Sequence, residues 1–379
     1  RGRFIMSRTA IAMKRSIYLQ PTAIFWDRSE RRAIDEVEVP EWKGLPLAGG
    51  RLSFAALDVL TRASPATKRR TVVLGDAFSG DWGRETLAAA DILQELSGPR
   101  ARIAGLSLDR PRLMGIVNVT PDSFSDGGQH ATTKDAIEHG LRLVEEGAEI
   151  LDIGGESTRP NADYVAADEE LRRVIPVVEG LCARTDAVIS VDTRKSEVMR
   201  RAAAAGADVL NDVSAFTHDP DALTVAAETG LPIVVMHALG DPKTMNDNPR
   251  YDDVVLDVFD YLESRIQACV AAGIPKAKIV ADPGIGFGKH LYHNVAVMAG
   301  LSLYHGLGVP ILLGASRKKM IGQLCDVDDA ADRVPGSLAC AIAGVAAGVQ
   351  IVRVHDVKET KQAVEVWRAC AAGTEKGLD

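Results

Sequence analysis

From Leu113 onward, short apolar runs rich in β-branched residues alternate with longer stretches whose apolar positions recur at helical spacing. The short runs are Leu113–Val119, Glu149–Ile153, Val188–Val191, Asp208–Asn211, Ile233–Met236, Ile279–Ala281, Ile311–Leu313 and Gln350–Val354. Helices are predicted over Lys134–Glu146, Asp168–Leu181, Lys195–Ala205, Asp219–Glu228, Val254–Ala272, Asn294–Leu303, Asp332–Ala347 and Lys358–Ala371. Strands alternating with helices imply parallel βαβ units, because parallel neighbours need a crossover long enough for a helix. Eight such units in about 260 residues match the size and count of a closed (β/α)8 TIM barrel. An open doubly wound sheet is the weaker alternative: the eighth unit completes a ring, and no Gly-x-Gly-x-x-Gly follows the first strand.

Residues 19–110 are less legible. Thr71–Gly75 reads as a strand, Gly83–Leu96 as a helix and Ala101–Leu106 as another strand. The predicted organisation is therefore a flexible tail over 1–18, a small α/β extension of open role over 19–110, and the barrel over 111–379. Residues 1–26 carry five basic and no acidic side chains, without an apolar core of signal-peptide length. A start at Met6 or Met13 is preferred to an organellar transit peptide.

Composition narrows the class. Apolar residues make up 46% and charged residues 25%, values of an ordinary globular protein. The longest weakly polar run, Ser337–Val349, has 13 residues, short of the roughly 20 a membrane span needs. Residues 1–110 hold 18 basic and 13 acidic side chains, the remainder 26 and 39. That acidic main body argues against a nucleic-acid-binding surface but leaves room for a local cationic pocket. Five scattered cysteines with no C-x-x-C point to buried free thiols in a reducing, cytoplasmic setting rather than a disulfide frame or zinc site.

The chemistry is concentrated where the apolar runs end. Asn118, Asp152, Asp192, Asn211, His237 and Asp282 close the first six runs; Ser316, Arg317 and Lys318 follow the seventh, and Arg353 and His355 mark the eighth. Thr158 and Arg159 stand in the loop after the second. In a barrel all these ends meet on one face, where active sites are built. Singly, Asp152 reads as a helix cap and His237 as a hydrogen-bonded core residue. Jointly, the set exceeds what capping requires. Asp192, Asn211 and Asp282 suit a flat heterocycle with several N–H donors, since a guanidine-like edge takes a carboxylate through two charge-assisted bonds. Lys318 supplies a donor to a ring carbonyl or nitrogen. Arg159, Arg353 and His355 suit phosphate oxygens. Two breaker-rich loops, Thr120–Gly128 and Gly154–Pro160, have the make-up of lids.

The runs and their loops carry a specific resemblance. LMGIVNVTPDSFSDGG (Leu113–Gly128), GAEILDIGGESTRPNA (Gly147–Ala162), IVADPGIGFGK (Ile279–Lys289), PILLGASRKKMIG (Pro310–Gly322) and IVRVHDV (Ile351–Val357) strongly resemble the dihydropteroate synthase family, over about Arg112 to Ala371. The resemblance implies condensation of 6-hydroxymethyl-7,8-dihydropterin diphosphate with p-aminobenzoate, with Mg2+ as cofactor and a homodimer as assembly. It places Asn118 at the metal and diphosphate, and Thr158 and Arg159 at the substrate and diphosphate. Asp192, Asn211 and Asp282 would read the pterin edge, with Lys318 donating to the ring. Arg353 would stack on the ring and touch diphosphate, which His355 also binds. Phe287 and Ser316–Lys319 would border p-aminobenzoate. Two positions depart from the pattern: Lys319 stands where Ser is common, and Asn161 replaces the usual Gly. Rival readings are a pterin-binding methyltransferase domain, which needs no diphosphate cations, a non-catalytic pterin-binding paralogue, and a Lys318 Schiff-base aldolase.

Overall fold

A computed structural model describes residues 15–27, 44–63, 66–74, 86–119, 128–157, 164–240, 245 and 247–374. Eight strands form one parallel sheet: β5 (Arg112–Asn118), β6 (Ile150–Gly154), β7 (Val188–Asp192), β8 (Val209–Asp212), β9 (Ile233–Met236), β10 (Ile279–Asp282), β11 (Leu312–Leu313) and β12 (Ile351–Val354). Their order is β10-β9-β8-β7-β6-β5-β12-β11. A parallel bridge between Ala281 and Ile311 joins the two ends of that order, and the Ala281 N–H donates to the Pro310 carbonyl at 2.9 Å. The ring is a (β/α)8 barrel.

Side-chain parity decides what the barrel encloses. Alternate residues of a strand face opposite sides. One residue from each strand (Met114, Ile150, Val188, Val209, Val234, Val280, Leu312 and Ile351) joins a single apolar cluster at the amino-terminal end of the barrel. Their strand neighbours, such as Leu151, Ile189, Leu210 and Ile279, belong instead to the large core shared with the helices. Two residues further along each inward row stand Asp152, Ser190, Asn211, Asp282 and Arg353, beside Ile116 and Met236. The interior therefore changes from apolar to polar within one layer.

Helices cover the outside. The extension contributes α1 (Thr86–Ser97). The barrel helices are α2 (Gly128–Glu146), α3 (Ala167–Cys182), α4 (Ser196–Ala204), α5 (Ala222–Thr229), α6 (Val254–Ala271), α7 (Leu291–Ala299), α8 (Lys319–Cys325), α9 (Val334–Ala346) and α10 (Val357–Ala372). The Asp253 carboxylate caps α6 by accepting from the Val255 and Leu256 N–H groups. Three details correct the sequence reading. The helix expected over Asn294–Leu303 starts at Leu291 and gives way at Gly300 to a 3-10 turn, Leu301–Leu307. The seven-residue α8 carried too little periodicity to be seen. Cys182, Cys325 and Cys370 are exposed and Cys340 is partly so; only Cys269 is buried.

Before the barrel, β1 (Tyr18–Trp26), β2 (Leu45–Pro46), β3 (Leu52–Thr61) and β4 (Lys68–Val73) form an antiparallel sheet with β3 at its centre. Pro21 is tolerated because β1 is an edge strand. The sheet and α1 bury their own core, including Phe54, Leu57, Ile92 and Leu96. The strand expected over Ala101–Leu106 is instead a tight turn: Ile103 and Leu106 exchange both backbone hydrogen bonds. It inserts Ile103, together with Leu108, into the amino-terminal apolar layer of the barrel. Among the described residues no helix is long and apolar enough to cross a membrane.

Candidate active site

Asp152 is the centre of the polar layer. It is fully buried. Its Oδ1 accepts from Ser190 Oγ at 2.6 Å. Its Oδ2 accepts from Asn211 Nδ2 at 3.0 Å and from Arg353 Nε at 2.6 Å. The same guanidinium reaches across to Asp192, with Nη2 donating to Oδ2 at 3.1 Å. One buried acid thus orients an amide and a cation, and the cation orients a second acid nearer the rim. Burial, then the negative charge of Asp152, raise the Asp192 carboxyl above the usual range, with Arg353 opposing. Arg353 is held charged by both acids against its burial.

Asp282 lies across the barrel at the end of β10, 6% exposed. Its Oδ1 accepts the Gly284 N–H at 2.7 Å. Burial pushes this carboxyl up; the Gly284 bond and the charges of Lys318, Arg353 and Lys289 restrain it. Gly314 faces the gap between Asp282 and Arg353: a Cβ there would meet nothing closer than Asp282 Oδ2 at 3.8 Å and Arg353 Cδ at 3.9 Å. That open floor is where a flat ring can lie between the acids. The loop after Asp282 turns through Gly284, Gly286 and Gly288, all at positive φ. At Gly284 a side chain is impossible, since its Cβ would fall 1.9 Å from the His237 carbonyl oxygen. The loop delivers Phe287, whose ring lies 4.2 Å from Lys318 Nζ, a cation–π distance.

The remaining cationic residues divide. Ser316 Oγ accepts the His355 backbone N–H at 3.2 Å and lies 3.0 Å from His355 Nδ1. The direction of that second contact follows the imidazole tautomer: Nδ1 accepts the serine hydroxyl when the ring proton is on Nε2, and donates to it when the proton is on Nδ1. Arg317 is turned away at φ +56° and paired to Asp356, with Nε donating at 3.0 Å. Lys319 is exposed at the start of α8. Asn118 ends β5 with Oδ1 beside Gly154, which also flanks Asp192. Among the described residues no group of three or more His, Cys, Asp or Glu forms a cation site. The Asn118 carboxamide oxygen is one hard donor at this rim. That fits Mg2+, which keeps waters and takes substrate phosphate oxygens rather than an all-protein cage.

Of the residues singled out in the sequence, Asn118, Asp192, Asn211, Asp282, Phe287, Lys318, Arg353 and His355 are gathered at the carboxyl-terminal end of the barrel. Thr158, Arg159 and Asn161 lie outside the described residues, as does the loop 120–127. Asp152 is not the cap it was expected to be. β6 runs on to Gly154, so Asp152 faces inward between two strand residues. Its parity with Ile150 is the signal that was available. Ser190 and Lys289 were also missed. Lys289 is buried with Nζ 2.9 Å from His237 Nδ1, so His237 is the hydrogen-bonded interior histidine that was expected.

Fold and rim together are those of a barrel enzyme with its polar residues gathered at the carboxyl-terminal face. A family model described as pterin binding enzyme matches residues 114–355. The dihydropteroate synthase of Escherichia coli strain K12 is 50% identical over 275 residues, spanning 73% of this chain and 97% of that protein. The Xanthomonas albilineans dihydropteroate synthase solved with 4-aminobenzoic acid is 52% identical, with 72% of this chain and 98% of that one covered at a TM-score of 0.68. The Xanthomonas albilineans enzyme in complex with 7,8-dihydropteroate is 50% identical, with coverage of 72% and 99% and a TM-score of 0.66. The chain belongs to the dihydropteroate synthase family, transferases of folate biosynthesis.

Proposed function

We propose that this rim joins 6-hydroxymethyl-7,8-dihydropterin diphosphate to p-aminobenzoate, with Asp192, Asn211 and Asp282 reading the ring and Arg353 serving both ring and diphosphate. The observation that carries this reading is Arg353 held between Asp152 and Asp192 beside the gap that Gly314 leaves open to Asp282. Across that gap Asp282 faces Arg353 and the acids it holds, so a planar ligand rich in N–H donors supplies further partners to the buried carboxylates. Lys318 donates to the ring from the Phe287 side, and His355 directs a donor at the phosphates. Thr158 and Arg159 act with them from their loop. Phe287 and the Ser316–Lys319 segment border p-aminobenzoate.

The bond between the exocyclic methylene and the diphosphate oxygen breaks first, and its electron pair leaves with diphosphate. Arg353 and His355 stabilise the charge that develops there. The methylene cation left behind is conjugated with the dihydropterin, and Asp192 and Asp282 lie where its N–H edge turns more acidic. The arylamine nitrogen then attacks, and its proton passes to solvent. No side-chain nucleophile takes part. Asn118 would hold Mg2+, which when bound neutralises diphosphate charge.

The same reading takes the active assembly as a homodimer through outer helices, where Val270, Val295 and Leu324 are exposed, and a cytoplasmic location, which the free thiols suit. It also takes residues 19–110 as a small amino-terminal α/β extension of the barrel. The deciding experiment incubates purified protein with both substrates, with and without Mg2+. Formation of dihydropteroate with matching diphosphate release is expected. Diphosphate release that ignores p-aminobenzoate would contradict the assignment.

A further inference from the structure

We propose that Lys289 is a positioning residue that couples the ring site to the p-aminobenzoate site through the Asp282–Phe287 loop. The inference rests on the reading of the rim given above. Lys289 is 5% exposed. Its Nζ lies 2.8 Å from the Gly284 carbonyl oxygen, 3.2 Å from the Phe287 carbonyl oxygen and 2.9 Å from His237 Nδ1. Burial pushes the Lys289 amine down to about 7, against the charge of Asp282; in its ammonium form it has three N–H donors, and here each has an acceptor. The third bond requires Nδ1 to be unprotonated, so His237 is neutral with its proton on Nε2; burial and the Lys289 charge hold its pKa down accordingly.

The loop is curled around its own terminal lysine. Its other backbone groups are held as well: Gly286 N–H donates to Asn294 Oδ1 at 2.7 Å, and the Gly288 carbonyl accepts from Tyr251 at 2.7 Å. Both carbonyls bound by Lys289 belong to the proposed site. Gly284 is the residue whose N–H fixes the Asp282 carboxylate, and Phe287 carries the ring against Lys318. An aliphatic residue would fill the same space without desolvating a charge, so packing alone does not call for a lysine here. The ammonium also stands close enough to Asp282 to favour its ionised form.

The test replaces the ammonium and keeps the volume. Lys289→Met and His237→Phe are compared with wild type in full-length protein, measuring thermal unfolding and the KM for each substrate. Lys289→Met should raise both KM values by about tenfold, with kcat changed much less, because both sites lose their shared brace while the Arg353 cluster stays intact. His237→Phe, which removes one acceptor and keeps an aromatic against Tyr261, should raise both KM values a few-fold. A folded Lys289→Met protein with wild-type KM for either substrate overturns the coupling. If that variant does not fold, unchanged KM values in His237→Phe overturn it. Wild-type protein that fails to turn the substrates over overturns the reading of the rim, and this inference with it.

Discussion

Arg353 lies 2.6 Å from Asp152 and 3.1 Å from Asp192, so its removal leaves two inward acids without their cation. Arg353→Ala should lower kcat roughly 10²-fold or more if the guanidinium stabilises departing charge. A steady-state rate equal to wild type would take Arg353 out of the mechanism. Asp282→Ala should sharply weaken pterin binding in a calorimetric titration, because donors on the ring lose their acceptor; near-native affinity would remove it from the ring site. Ring affinity should also depend on pH with a defined sign. Burial raises the Asp192 carboxyl to about 7 and pushes the Asp282 carboxyl up, so both hold protons to higher pH than ordinary carboxyls. N–H donors bind the carboxylates, so binding releases protons and strengthens as pH rises. Titration of a pterin should give a weaker Kd at about pH 5.5 than at about pH 8, and a flat profile would contradict the donor-to-carboxylate contact. The rim residues were legible because each follows an apolar run. Ser190 was hidden, and Asp152 was taken for a cap, because both lie inside the runs, where only strand parity reveals that they face the barrel interior. Lys289 was hidden because its partners are backbone carbonyls and a histidine 52 positions away, contacts that no local spacing encodes.

At the level of elements, the Ile103 turn plugs the end of the barrel opposite the site. Ile103 is 2% exposed and packs with the inward residues of the strands. Ile103→Ala should cost about 2–5 kcal/mol through lost burial and the cavity left behind. A denaturant midpoint unchanged from wild type would show that the layer closes without it. This turn had been read as a strand because Ala101–Leu106 is short and apolar, and such runs do not distinguish a pairing strand from a buried plug. β3 escaped notice for a related reason. Nine of its ten residues are buried, so it lacks the alternation that marks a strand with one solvated face. The barrel units were legible because each parallel strand is flanked by a helix whose period differs from its own, and that switch recurs eight times.

On the scale of the whole molecule, the amino-terminal sheet is fastened to the barrel's flank rather than to its rim. Arg62 bridges the two: it pairs with Asp257 at 2.8 Å and with Asp260 at 2.6 Å on α6, and Tyr18 donates to Asp260 at 2.7 Å. Around this polar link, Tyr18 meets Phe259 edge-on at 5.5 Å and Trp26 meets Trp367 at 6.2 Å. The Arg62 side chain is 21% exposed, so the pairs are partly desolvated. Replacing Arg62 with Met keeps the apolar stem and removes the charge, leaving Asp257 and Asp260 without their guanidinium, at a cost of about 1–3 kcal/mol. None of these contacts involves Asp152, Asp192, Asp282 or Arg353, so the loss should be confined to stability. Arg62→Met should therefore unfold at lower temperature while KM and kcat at an assay temperature well below the transition match wild type. A parallel fall in kcat or rise in KM would show that the sheet acts on the rim, and that the separation of brace and catalytic face drawn from the contacts is incomplete.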